Sequence, residues 1–202
     1  MKIGPKYKIA RRLGTPVFEK TQTQKYALRA ERKGKTRGFV KPKSEYAIQQ
    51  NEKQKARFVY GISERQFSNY VKEAIANKAV NKSQTIFEFL ELRLDNVVCR
   101  AGLANTHLGG RQMVSHGHIL VNGKRVTIPS IRLRVGDKIT VREGSKDKPL
   151  FTRNEDRMKA VTVPSWIKFD SAKKTGEIVA VPQYVQTDNM FDLNAVIEFY
   201  SR

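Results

Sequence analysis

Asn122-Gly123 stands between Ile119-Leu120-Val121 and Lys124-Arg125-Val126, and no other feature restricts the fold so narrowly. A two-residue type I′ turn needs a left-handed backbone at both central positions, and Asn-Gly supplies it at least cost. The turn then sets the register. Val121 faces Lys124, Leu120 faces Arg125 and Ile119 faces Val126, so two cations lie just past the tip of a small apolar hairpin. A hairpin this short is marginal alone and must press against something else.

Helix signals surround it. Residues 44–60 read as a helix, with Pro42 before it, Ser44 as cap and Gly61 at the position after its end. Ser63-Glu64-Arg65-Gln66 is a capping box, and Ile62 with Phe67 makes the hydrophobic staple. Phe67, Tyr70, Val71, Ala74 and Ile75 continue at helical spacing, with Arg65, Asn69 and Lys72 on the opposite face. Residues 77–82 form a loop, and a third helix runs from about Ser83 to Leu92. Leu94, Val97, Val98 and Ala101 make a helical stripe that Gly102 stops. Arg93 and Arg100, seven apart, project from the same side. Thr106 can cap a second short helix running to about His116, where Arg111 and Ser115 are neighbours. Gly109 and Gly110 weaken that helix by about 1 kcal/mol each relative to Ala, so packing must hold it.

After the hairpin, Val135-Gly136-Asp137 turns into a strand at Ile139-Thr140-Val141. Residues 144–163 form a polar connector, helical from about Thr152. Trp166–Phe169 and Ile178–Val181 read as strands joined through Thr175-Gly176. The last stretch, Ala195 to Tyr200, is too apolar to be a loose tail and must dock. The fold class is α+β, without internal repeats.

Lys and Arg number 39 against 19 Asp and Glu in 202 residues, a formal net charge of +20. A soluble domain needs only a charge magnitude of about 2–8, so the excess points to a polyanionic partner, nucleic acid above all. Residues 1–43 hold nine Lys and five Arg against Glu19 and Glu31, a net of +12. They form a basic, extended arm with short helical turns. Ile3, Tyr7, Ile9, Leu13, Val17, Phe18, Tyr26, Leu28 and Phe39 interleave with the charge, which fits a partner-ordered arm better than a solubility tail. Cys99 is the one cysteine, reads as a buried small hydrophobe, and leaves no disulfide framework. No apolar run is long enough for a membrane span, and no secretory leader is evident, so a cytoplasmic protein is expected.

No enzyme signature is present. GxSxG, HExxH, the P-loop and GxGxxG are all missing, and acidic residues are sparse. His116 and His118 have no Cys or carboxylate cluster to complete a metal site. No cofactor and no metal are expected. Cations do converge: Arg93, Arg100, Arg111, Ser115, His116, Lys124 and Arg125 fall within one helix-helix-hairpin unit, the arrangement a phosphate backbone requires.

RLDNVVCRAG, RQMVSHGHILVNGK and VGDKITVRE, all within residues 93–143, resemble the S-four RNA-binding domain. GPKYKIARRLGTPVF, EKQKARFVYGISERQFSNYVKEA and VIEFYSR extend the likeness over nearly the whole chain, which resembles the bacterial-type small-subunit ribosomal protein S-four family. The resemblance implies an arm over 1–43, a helical domain of 44–92 completed by about 182–202, and an inserted RNA-binding domain over 93–181 with its core at 93–143. It implies a structural constituent of the small ribosomal subunit that binds the subunit's ribosomal RNA directly and nucleates assembly of the 5′ domain. It also implies a place beside protein S-five near the mRNA entry path, with an influence on decoding accuracy. The implied RNA face takes Arg11, Arg12 and Lys41 from the arm. It takes Lys53, Lys55, Arg65, Asn69 and Lys72 from the helical domain. From the inserted domain it takes Arg93, Arg100, Arg111, Gln112, Ser115, His116, Lys124 and Arg125.

The chain departs from the family in three ways, one being that residues 182–188 (PQYVQTD) lack an arginine common there. Some members hold zinc through four arm cysteines, and this arm has none. The second short helix usually opens Thr-Arg-Ala-Glu, where this chain has Thr106-His107-Leu108-Gly109-Gly110. Two other functions use the same domain. In an RNA-modifying pseudouridine synthase, Arg-Leu-Asp is followed by a Thr-Ser-Gly element that is absent after Arg93-Leu94-Asp95. A stand-alone RNA-binding factor would lack the helices of 44–92.

Overall fold

In the computed structural model the chain divides into two units. One unit is Met1–Ile86 with Tyr184–Arg202, the other Phe87–Gln183. The structure describes residues 3–35, 42–77, 81–152 and 161–201.

In the first unit the arm holds more helix than short turns. Helices α1 (Lys6–Leu13) and α2 (Gln24–Lys35) flank a 3-10 turn at Glu19–Thr21. Gly14 ends α1 at φ 73°, its N–H donating to the Ala10 carbonyl at 2.9 Å. The reason for the extra order is local burial. Ala10, Leu13, Val17 and Phe18 close over Phe58, and the Phe18 and Phe58 rings lie 5.7 Å apart. The apolar residues threaded through the charge are thus, in part, the arm's own anchor.

Helix α3 (Glu45–Val59) opens at Ser44, whose hydroxyl accepts from the Ala47 amide at 3.4 Å, and Gly61 follows its end at φ 60°. Helix α4 (Glu64–Ala76) opens at Ser63, whose hydroxyl accepts from the Gln66 amide at 3.3 Å, with Ile62 and Phe67 both buried. The expected loop at 77–82 falls largely on 78–80, outside the described residues, and helix α5 begins at Lys82 and runs to Glu91. The division between the units falls within α5. The apolar end of the chain forms a helix, Leu193–Ser201, that packs on α3 and α4, burying Leu193 and Val196 and setting Tyr200 against Phe67.

The second unit builds outward from α6 (Leu94–Arg100) and α7 (His107–Ser115). Thr106 caps α7 by accepting from the Gly109 amide at 3.0 Å. Gly110 explains how a helix with two glycines persists: a Cβ there would stand 2.5 Å from the Asp95 carbonyl oxygen, so its absence lets α6 and α7 cross backbone to backbone. Cys99, on α6, is half-buried rather than buried.

The hairpin takes the register the turn dictates. Strands β1 (Ile119–Val121) and β2 (Lys124–Arg125) pair Leu120 with Arg125 and Val121 with Lys124, and the turn has φ 49° at Asn122 and 78° at Gly123. What it presses against is β3 (Lys138–Val141), in a five-stranded antiparallel sheet of order β2-β1-β3-β5-β4. Strands β4 (Ile167–Asp170) and β5 (Thr175–Ile178) complete it.

Here the sequence reading needs a correction. Thr175-Gly176 is not the turn but the start of β5. The Asp170 carboxylate accepts from the amides of Ala172 and Lys173 at 2.9 and 3.1 Å, and Lys174 reverses the chain at φ 51°. Gly176 is needed because a side chain there would meet Ile139 and Phe169. In the connector, a 3-10 turn at Glu143–Ser145 leads to helix α8 (Pro149–Thr152), and the helix expected beyond Thr152 falls on 153–160, outside the described residues. The C-terminal helix Leu193–Ser201 is α9. The core of this unit joins both helices to the sheet through Leu94, Val97, Val98, Val114, Ile119, Ile139, Val141 and Ile178.

Candidate nucleic-acid interface

Among the described residues, the side chains named from sequence fall into two groups, those paired with acids of the fold and those left at the surface. Arg93 belongs to the first. It is not on the helix whose face it was expected to share with Arg100. It is the N-cap of α6, with extended backbone at ψ 137°, so the seven-residue spacing does not apply to it. Its guanidinium donates to both Asp95 oxygens, Nε to Oδ1 at 2.9 Å and Nη2 to Oδ2 at 2.8 Å, and both side chains are almost fully buried. Arg111 reaches the same carboxylate from α7, donating to Oδ2 through Nε at 2.9 Å and Nη2 at 2.8 Å. Arg100 donates to Glu91 at 3.1 and 2.6 Å, and Glu91 is 1% exposed. The Asn96 amide also donates to Glu91, at 2.8 Å.

These three arginines therefore fasten α5, α6 and α7 together. A carboxylate can be buried this deeply because it is paired and hydrogen-bonded. Arg100 and Arg111 keep part of their side chains at the surface, at 39% and 25% exposure.

In the first unit Lys53 is likewise turned inward. Its Nζ lies 2.8 Å from Glu64 Oε1 and 4.3 Å from the centroid of the Phe199 ring. Lys55 pairs with Glu52 at 2.6 Å. Glu64 also takes Arg57 at 3.0 Å and the Tyr200 hydroxyl at 2.8 Å. Burial pushes the Glu64 carboxyl up, but the hydrogen bonds from Lys53 and Tyr200 and the charges of Lys53 and Arg57 outweigh it and leave it below its usual range. Burial and the Glu64 partner push the Tyr200 phenol well above its usual range.

The second group is open to solvent. Arg65, Asn69 and Lys72 are exposed along one side of α4. Arg11 and Arg12 are exposed on α1, and Arg11 Nε donates to the Tyr7 carbonyl at 3.2 Å. Lys41 lies outside the described residues. In the second unit Gln112, Ser115, His116, Lys124 and Arg125 are all exposed, where the end of α7 meets the hairpin. Gly117 makes that meeting possible. It holds φ 70°, and Arg125 lies across the space a Cβ would occupy, with Nη2 3.4 Å from the His116 carbonyl oxygen.

Sequence reasoning weighed His118 beside His116 as a metal ligand, left it out of the implied RNA face, and passed over Arg142 and Lys148. His118 pairs with Arg142 across the sheet, its carbonyl accepting the Arg142 amide at 2.9 Å. Only the β1–β3 pairing brings them together, so no local signal marked them as neighbours. Among the described residues no three His, Cys, Asp or Glu side chains gather as a metal site. No helix among them is long and apolar enough to cross a membrane.

Two family models tile this architecture. The Ribosomal protein S4/S9 N-terminal domain matches residues 1–91, and the S4 domain matches residues 92–139. Small ribosomal subunit protein uS4 of Persephonella marina is 41% identical over 201 residues, covering 98% of each chain. The chain belongs to the uS4 family. The uS4 proteins of Akkermansia muciniphila and Aquifex aeolicus are 41% and 38% identical, and each alignment covers at least 98% of both chains. The helix-helix-hairpin that carries Gln112, Ser115, His116, Lys124 and Arg125 lies within the residues of this uS4-family chain that the S4 domain model matches.

Proposed function

We propose that this chain is a structural constituent of the small ribosomal subunit and binds the subunit's ribosomal RNA directly, without catalysing a reaction. It nucleates assembly of the 5′ domain. It sits beside protein S-five near the mRNA entry path and contributes to decoding accuracy. The observation that carries this reading is the exposed ridge of Gln112, Ser115, His116, Lys124 and Arg125 on a rigid helix-hairpin corner, within a chain related to uS4 proteins along its whole length. Cations on one firm surface suit a phosphate backbone. Recognition is of shape and backbone, because the deep A-form major groove is closed to side chains.

The arginines divide the labour. Arg65, Lys72, Lys124 and Arg125 meet phosphates. Arg93 holds the domain together, and Arg100 and Arg111, fastened to acids yet partly exposed, do both. Lys53 supports α4 and α9 through Glu64 and Phe199.

The test is affinity for a 5′-domain transcript against a scrambled-junction control across a salt series. Junction-dependent binding should weaken by about 10³–10⁵ between roughly 50 and 200 mM salt, as expected for about 6–10 phosphate contacts. Lys124→Ala and Arg125→Ala should each reduce the salt slope by about one without unfolding the chain. Equal affinity for both RNAs would reduce the chain to a general polyanion binder and overturn the reading.

A further inference from the structure

His118 has four basic neighbours drawn from separate parts of the second unit. His116 ends α7, His118 opens the hairpin, Arg125 lies on β2, Arg142 follows β3, and Lys148 precedes α8. The His116 and His118 rings are 6.0 Å apart. Arg142 and His118 are joined through their backbones, and Arg125 is laid over Gly117 between the two histidines. All but His118 are exposed.

The His118 ring is fixed rather than loose. Its edge contact with the fully buried Phe151 has centroids 6.1 Å apart at 85°, and its Nδ1 lies 2.9 Å from Ser145 Oγ. Nε2 is thus the ring nitrogen left for a ligand. Glu143, next to Arg142, is engaged by Lys146 at 2.7 Å, while Asp147, next to Lys148, is exposed.

We propose that His116, His118, Arg125, Arg142 and Lys148 form one anion subsite for a single backbone phosphate of bound RNA, and that His118 takes up a proton as the phosphate enters. The proposal rests on the RNA-binding reading above and adds three residues to it. Like charge surrounds the His118 ring. Burial pushes the His118 imidazole down, and its neighbours Lys148, His116, Arg142 and Arg125 push it further the same way. The free chain therefore holds His118 neutral at neutral pH. A phosphate placed among these groups reverses the sign of the local field and favours imidazolium. With Nδ1–H donating to Ser145, Nε2–H then donates to the phosphate. A group whose proton affinity is higher in the complex than in the free chain makes binding tighter as pH falls.

Calorimetry of the full chain with the 5′-domain transcript, in buffers of different ionisation heat, counts the protons. Wild type should take up protons on binding and bind several-fold more tightly at about pH 6 than at about pH 7.5, a range set by the ordinary His titration. His118→Gln should abolish most of the uptake. Arg142→Gln and Lys148→Gln, which touch no core, should each weaken binding at every pH and lower the salt slope by about one. Inorganic phosphate added to the free chain should raise the His118 titration midpoint, read from its ring-proton NMR signal. Zero proton uptake, uptake that survives His118→Gln, or an unchanged slope in both the Arg142 and Lys148 variants would overturn the subsite while leaving junction-dependent binding intact. Inorganic phosphate binding as tightly as the transcript would instead assign the site to a free anion. A wild-type chain that ignores the junction would overturn the wider reading as well.

Discussion

Asp95 is 2% exposed and receives two guanidinium groups, so its charge is compensated only while both arginines stay in place. Asp95→Asn would leave Arg93 buried without its counter-charge. Breaking a buried pair from one side costs about 3–5 kcal/mol. The variant should therefore lose that much in denaturant unfolding, whereas Lys124→Ala should change stability by less than about 0.5 kcal/mol. Equal stability for the two would mean that Asp95 is not the fastener described. The same residues show the limit of counting charges along a chain. Arg93, Arg100 and Arg111 look alike in sequence to Lys124 and Arg125, and an acid two, nine or sixteen positions away decides which are spent internally.

At the scale of elements, what is decided locally was legible. Ser44, Ser63 and Thr106 cap the helices they were expected to cap, and Asn122-Gly123 sets its register, because each signal acts within four residues. Thr175-Gly176 was misread for the complementary reason. Glycine marks both a turn and a close approach, and only the packing of Ile139 and Phe169 tells them apart. The arm's helices were underestimated because their anchor, Phe58, lies on α3. Arg142 escaped notice because the sheet, not the sequence, makes it a neighbour of His118. Helix α7 offers a direct check of packing against propensity. Gly110→Ala should gain about 1 kcal/mol from intrinsic helix propensity. The Cβ would stand 2.5 Å from the Asp95 carbonyl, however, so α6 and α7 must move apart and the net effect should be destabilising. A Gly110→Ala variant with a higher melting temperature would show that the two helices are not in backbone contact.

For the whole molecule, a net charge of +20 works in opposite directions on two equilibria. In the free chain it is self-repulsion, which salt screens within about 8–10 Å at roughly 0.1–0.15 M. In the complex it is attraction, which salt weakens. Raising salt over the same range should therefore raise the melting temperature of the free chain while lowering its affinity for the transcript. The buried pairs at Asp95 and Glu91 are poorly screened and should not reverse the first trend. A melting temperature that falls with added salt would mean that attractive ion pairs, not net charge, dominate the free chain.

The turn at Asn122-Gly123 also bears on how the protein ages. An Asn followed by Gly is the dipeptide most open to deamidation, in which the glycine nitrogen attacks the Asn carboxamide carbon. Here the carboxamide is held at both ends. Its nitrogen donates to Asp137 at 2.8 Å, and its oxygen accepts from the Lys138 amide at 2.9 Å. Pinned across to β3, it does not swing onto the Gly123 nitrogen. The contacts that set the hairpin's register thereby shelter its most perishable bond, and each excursion into the unfolded state exposes that bond to a change that refolding does not undo.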